Sequence, residues 1–237
     1  MSTTGPPNVR DTGDAPHILV FDVNETLLDI DSLKPIFEEL LGGAEILRTW
    51  FAELVLHSMT LTLSGYYLDF FRLGRATLKM IATTRGLTLD DNDMRALEAG
   101  MRAMPAHSDV EPGLRRLREH GYRLVTLTNS PLRADTPTPL DNAGLGTYFE
   151  RQFTVDALKV FKPAPQLYQR VAADVGVAPS ECMMVAAHTW DVIGAHGAGM
   201  RTALITRPGN AALVGDGIPH PDAVAGTIVE LADQLVG

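Results

Sequence analysis

The chain has 237 residues, 45% of them hydrophobic, and sets 20 Lys and Arg against 29 Asp and Glu for a formal net charge of −9. That length holds one ordinary domain plus a smaller insert. The basic residues form no stripe that would neutralise phosphates, which argues against nucleic acid as a partner. The single cysteine, Cys182, excludes an internal disulfide and reads as a buried, inert thiol, and no apolar run reaches the ~18 residues of a membrane span.

Residues 1–15 are polar and rich in Gly, Pro, Thr and Asp, without the basic and apolar regions of a secretory signal. They read as a flexible tail on a cytoplasmic protein. The first strand is His17 to Phe21, an apolar run ending at Asp22. Ser32 then reads as the cap of a helix with Ile36, Phe37, Leu40 and Leu41 on one face and Gly42-Gly43 at its end. Residues 44–63, 76–86 and 91–104 also read as helical; His57, Tyr66 and Tyr67 are candidates to line the cap side of a site, though helical spacing makes most of them plain packing residues. About 70 residues of helix without a strand exceed an ordinary crossover. Residues 32–105 are therefore expected to form an all-helical cap, and 16–31 with 106–237 an α/β core; helices merely packed on one sheet face are the plainer alternative.

Beyond the cap, Pro112 opens a helix that Gly121 closes, and Arg123 to Leu127 is the second strand. Pro165 opens another helix ending near Gly176, followed by strands at Met183 to Ala187 and Thr202 to Ile205. Unbroken apolar strands alternating with helices predict a doubly wound parallel sheet.

In such sheets ligands bind at the carboxyl ends of the strands. The residues there are Asp22, Asn24 and Thr26 after the first strand, Thr128-Asn129-Ser130 after the second, and Lys162 and His188-Thr189-Trp190-Asp191 on either side of the third. Each has a bland reading: Asp22 and Thr26 shape a turn, Lys162 is a solvated loop lysine, Asp191 caps a helix starting at Val192. Together they form the company a carboxylate nucleophile needs: donors for the substrate, a cation to keep the carboxylate ionised, and a group to direct water.

The order of these segments resembles the haloacid dehalogenase superfamily. Asp22 followed by Thr26, then Leu127-Thr128-Asn129-Ser130, then Lys162-Pro163-Ala164-Pro165 with Tyr168, then His188-Thr189-Trp190-Asp191 with Gly194-Ala195 are similar to its four motifs in the 2-haloacid dehalogenase (type II) branch. The resemblance implies a Rossmann-like core with a cap, a small carboxylic acid as substrate, no cofactor or metal, and a homodimer. It implies that Asp22 displaces halide from a 2-haloacid and forms an ester that water cleaves. Lys162, Asp191 and His188 would join Asp22 in catalysis. Asn24, Thr128, Asn129, Trp50, Phe51 and Tyr168 would contact substrate.

Some positions depart from that pattern. Phosphatases of the superfamily carry a second Asp where this chain has Asn24, and an acidic metal ligand where it has Ala187. A magnesium-dependent phosphatase is thereby disfavoured. The dehalogenases carry Trp-Arg on a cap helix where this chain has Trp50-Phe51, so the guanidinium that receives halide is missing; Arg48 reads as a solvated helix residue. They also have Tyr at Asn24 and Ser-Ser-Asn at Ala186-Ala187-His188. His188 stands as a base, an anion donor or a structural group. The alternatives to a dehalogenase are a same-fold hydrolase acting on a different small acid or leaving group, the phosphatase, and a non-enzymatic binding module.

Overall fold

The computed structural model describes residues 16–133 and 135–237, so the expected tail at 1–15 lies outside the described residues. Strand β1 (Ile18–Phe21) leads into four successive helices, α1 (Lys34–Leu41), α2 (Ile46–Leu63), α3 (Phe70–Thr84) and α4 (Asp91–Arg102). Helix α5 (Val110–Glu119) then leads to β2 (Arg123–Thr128). The rest alternates: α6 (Pro139–Asn142), β3 (Arg151–Thr154), α7 (Pro165–Val175), β4 (Cys182–Ala186), α8 (Thr189–Gly197), β5 (Arg201–Ile205), β6 (Ala223–Ala225) and α9 (Ile228–Val236).

The strands form one parallel sheet in the order β3-β2-β1-β4-β5-β6. The chain winds outward in both directions from β1, which opens a crevice at the carboxyl ends of the central strands. Every residue of β1 and β4 is buried, as helices on both faces require, which explains their unbroken apolar sequences. Phe21 is level with Thr126 of β2 and Val185 of β4, so Asp22 is the first residue past the end of its strand. Its N–H still donates to the Val185 carbonyl at 3.0 Å, which fixes its backbone at the rim.

Several expected boundaries move. The Ser32 hydroxyl donates to the Asp29 carbonyl at 2.6 Å within a 3-10 turn that Asp29 caps, and α1 begins only at Lys34. Helix α3 begins at Phe70 rather than Ala76, because the Asp69 carboxylate accepts the Arg72 N–H at 3.0 Å. Helix α5 begins at Val110, leaving Pro112 inside its first turn. Tyr66 is exposed rather than packed. Cys182 is buried and free, and burial pushes its thiol up to about 11, in keeping with inertness.

Helices α2 and α3 pack together, and Trp50 is their pivot. Its indole is fully buried and donates Nε1–H to the Gly74 carbonyl at 2.9 Å. A Cβ at Gly74 would stand 3.2 Å from the ring, so any larger residue there would push the indole back by a few tenths of an ångström. Trp50, expected to contact substrate, is thus packed between these two helices.

A second tie runs from the loop after β5 to the loop after β1. Arg207 is buried, donates from Nε (3.1 Å) and Nη2 (2.9 Å) to the Thr26 carbonyl, and pairs through Nη1 with Asp109 at 2.6 Å. The other Asp109 oxygen accepts the Ile228 N–H at 2.7 Å, adding α9 to the same anchor.

Candidate active site

Asp22 is nearly buried, and its two oxygens face different neighbours. Oδ1 accepts from the Lys162 ammonium at 2.7 Å. Oδ2 accepts from the Thr26 hydroxyl at 2.7 Å and lies 3.5 Å from His188 Nδ1. Thr26 has a defined direction: its oxygen accepts the Ala187 N–H at 2.9 Å, which leaves its hydrogen for Asp22. Burial alone would raise the Asp22 pKa; Lys162 and His188 outweigh it and hold the carboxyl far below the usual carboxylate range. The result is a buried carboxylate that stays ionised.

Lys162 follows the turn from β3 and sits before Pro163 with its side chain 0% exposed. Its ammonium uses all three donors, on Asp22, on Asp191 Oδ2 at 2.6 Å and on the Leu127 carbonyl at 3.0 Å. Burial pulls its pKa down, but Asp191 and Asp22 more than reverse this and raise it. Asp191 lies in the first turn of α8 and, contrary to the capping reading, binds inward. Its Oδ1 accepts from the buried Tyr168 hydroxyl at 2.5 Å. Burial lifts Asp191 above the usual range by more than Lys162 lowers it. Tyr168, lifted by burial and by Asp191, stays a neutral donor. Gly194 lets α8 approach this cluster, since a Cβ there would meet Pro163 at 2.4 Å.

On the other side of Asp22 the imidazole of His188 donates Nε2–H to Glu25 Oε2 at 2.7 Å. It stacks on Trp190 with centroids 5.1 Å apart and lies 5.4 Å from the Phe51 ring. Burial would deprotonate it, but the neighbouring Asp22 and Glu25 carboxylates push it up to about 9, so His188 is an imidazolium at neutral pH. Glu25 is itself buried, has a left-handed backbone (φ 68°), and pairs through Oε1 with Arg48. Despite burial, His188 and then Arg48 lower its pKa. Arg48 is thus no free surface residue: it also holds Asp31 at 2.9 Å and the Pro208 carbonyl at 3.3 Å.

A pocket of about 10 Å³, room for roughly one water, lies over Asp22, lined by Asn24, Thr128, Asn129, His188 and Trp190 from the sheet side and Phe51, Val55 and Phe70 from α2 and α3. Asn24 donates to Ser130 Oγ at 3.2 Å, and Asn129 Oδ1 accepts the Lys162 N–H at 3.1 Å, so both also brace the loops that carry them. A larger, mostly apolar cleft of about 450 Å³ adjoins it, sharing Phe51, Val55, His188 and Trp190 and bordered by Glu25 and Arg48.

The structure thus brings Asp22, Lys162, Asp191, Tyr168, His188, Asn24, Thr128, Asn129 and Phe51 to one end of the sheet, and leaves Trp50 out. Glu25 was not among the expected site residues. Its only sequence signal was an acid in a short loop, where a solvated side chain is the usual outcome. Among the described residues no group of three His, Cys, Asp or Glu side chains is disposed to hold a metal ion; the Lys162 ammonium stands between Asp22 and Asp191 instead.

Comparison with known proteins bears on this geometry. The (S)-2-haloacid dehalogenase of Pseudomonas sp. (strain YL) is 30% identical over 196 residues, 81% of this chain and 83% of that protein. (S)-2-haloacid dehalogenase 1 of Pseudomonas sp. (strain CBS-3) is 31% identical, over 79% and 83%. The L-2-haloacid dehalogenase of Xanthobacter autotrophicus with chloropropionic acid covalently bound superposes with a TM-score of 0.83 at 25% identity, covering 94% of this chain and 99% of that one. The model of the haloacid dehalogenase-like hydrolase family matches residues 16–199, and the chain belongs to that family.

Proposed function

We propose that the protein hydrolyses the carbon–halogen bond of a short 2-haloacid through an ester on Asp22, without a metal ion. One observation carries this reading: a buried, ionised Asp22 carboxylate with one face held by Lys162 and the other turned to a pocket. A buried anion stripped of water and aimed by fixed donors is an activated nucleophile. An Asp22 oxygen attacks the halogen-bearing carbon, a C–O bond forms, and the C–halogen electron pair departs with the halide. Water then adds to Asp22 Cγ, the bond from Cγ to the substrate oxygen breaks, and the 2-hydroxy acid leaves. The named relatives support the substrate class: two are (S)-2-haloacid dehalogenases, and one was seen with chloropropionic acid covalently bound.

Asn24, Thr128 and Asn129 supply polar groups for the substrate carboxylate, and Phe51, Val55 and Phe70 cover the reacting carbon. Helices α1–α4 would then act as a cap, with α2 and α3 excluding bulk water. Lys162 sets one fixed positive charge beside Asp22, and Asn24 and Ala187 offer no carboxylate to a divalent cation, which disfavours a phosphoryl substrate.

The test is halide release from a panel of short 2-haloacids, fluoroacetate included, in the presence of EDTA. Release that persists with EDTA and disappears in Asp22→Asn is expected. Release that survives Asp22→Asn would remove Asp22 as nucleophile, and sensitivity to EDTA would remove the metal-free reading.

A further inference from the structure

We propose that the apolar cleft beside the nucleophile's pocket binds a hydrocarbon substituent on C2 of the substrate, so that the enzyme favours 2-haloacids whose side chain runs to several carbons. This rests on the ester reading above and names the part of the site that reads the size of the acid.

The pocket over Asp22 has room for roughly one water, less than any 2-haloacid occupies. A substrate whose C2 meets Asp22 must therefore extend into neighbouring space. The groups proposed for its carboxylate, Asn24, Thr128 and Asn129, line the pocket and not the cleft. Phe51, Val55, His188 and Trp190 line both, so the two spaces join across these four side chains. With the carboxylate on the polar wall, the substituent on C2 finds its outlet there, into about 450 Å³.

The wall it meets suits hydrocarbon. Phe51, Val55 and Met59 stand at i, i+4 and i+8 of α2, with Ala52 and Leu56 beside them, and all five line the cleft. That spacing puts them on one side of the helix, in a stripe about 12 Å long. No charged side chain interrupts the stripe. The charges bordering the cleft, Glu25 and Arg48, lie at its N-terminal end, where they pair with each other and Arg48 reaches the Pro208 carbonyl. Across from α2, the Trp190 ring is held by stacking on His188 with centroids 5.1 Å apart. Leu56 is 54% exposed, so the stripe still has apolar surface to bury.

A partner chain is the rival occupant of any apolar recess, but continuity with the pocket over Asp22 favours the substrate. Hydrocarbon moved from water into this cleft gains affinity with each added carbon. A fully buried methylene is favourable by about fourfold in binding, and a cleft open on one side should return about two- to fourfold.

The experiment measures kcat/KM for (S)-2-bromopropanoate, 2-bromobutanoate, 2-bromopentanoate and 2-bromohexanoate, with calorimetric binding of unhalogenated propanoate and hexanoate alongside. kcat/KM should rise about two- to fourfold per methylene, mainly through KM, and hexanoate should bind about 10- to 60-fold more tightly than propanoate. Two variants test the place. Ala52→Trp fills the cleft, and Leu56→Glu sets a charge in its wall; both positions are exposed, so either change is compatible with the fold. Both should flatten the two series. A flat or falling series in the unaltered enzyme overturns the proposal. So does a rising series that both variants leave intact, which would seat the substituent elsewhere. A flat series together with an oligomeric state that Leu56→Glu alters in sedimentation would hand the cleft to a partner chain. Absence of halide from every acid, with hexanoate still preferred and the variants erasing that preference, overturns the ester reading and leaves the cleft assignment standing.

Discussion

Asp22 divides the site into two unlike flanks. On the Oδ1 side, Lys162, Asp191 and Tyr168 have side chains at or near 0% exposure, and every strong donor is matched to an acceptor. On the Oδ2 side, His188 and Glu25 border the open cleft, Arg48 reaches 38% side-chain exposure, and His188 Nδ1 has no hydrogen bond. Both flanks hold Asp22 ionised, but they differ in what they leave free. A saturated buried network fixes geometry and resists change. An unsaturated one next to a pocket keeps capacity for a reacting molecule.

If that contrast is right, the largest effect comes from breaking the saturated flank. Lys162→Met would leave Asp22 and Asp191 facing each other without a cation, and should cost about 3–5 kcal/mol of stability. Urea unfolding measures it; a loss under about 1 kcal/mol would mean water already reaches the cluster.

The open flank should dominate the pH dependence. His188 binds its proton more tightly folded than unfolded, so its contribution is complete below its ordinary pKa of 6.5 and fades as pH rises through about 9. Asp22 has the opposite sign: its contribution is present above the ordinary 3.8 and is lost as pH falls toward its depressed value. Thermal melts from pH 6 to 10 should therefore show a decline that His188→Gln removes. An unchanged decline would assign it elsewhere.

A milder cut on the saturated side is Tyr168→Phe, which leaves Asp191 Oδ1 unpaired and should cost about 1–3 kcal/mol. Smallest is Arg48→Met, since a pair this exposed on one side contributes about 0–1 kcal/mol after screening. That variant should barely move the melting temperature; a large drop would show that Arg48 belongs functionally with the buried set.

The two flanks were also unequally legible. Asp22 and Asp191 follow recognisable strands, and Lys162 and Tyr168 stand in a segment that resembles a family motif, so this flank has a local signature. The four central strands were legible for a related reason, being apolar on both faces. Strand β3 was not, because Arg-Gln-Phe-Thr at a sheet edge buries only Phe153, and β6 spans three residues. Glu25 and Arg48 are 23 residues apart and meet only when α2 folds over the loop after β1, a contact without local pattern. The placing of Trp50 was illegible for another reason: an aromatic on an inward helix face looks the same in sequence whether it meets a ligand or, as here, a neighbouring helix backbone.

The Arg207 tie has a consequence for synthesis. Asp22 lies far from its anchors in sequence: the Thr26 carbonyl in its loop is gripped by a guanidinium 181 positions further along. The strand that seats its backbone ends at Ala186. The setting of this carboxylate therefore depends on segments made long after it, and is complete only once β4 and the loop after β5 have joined β1.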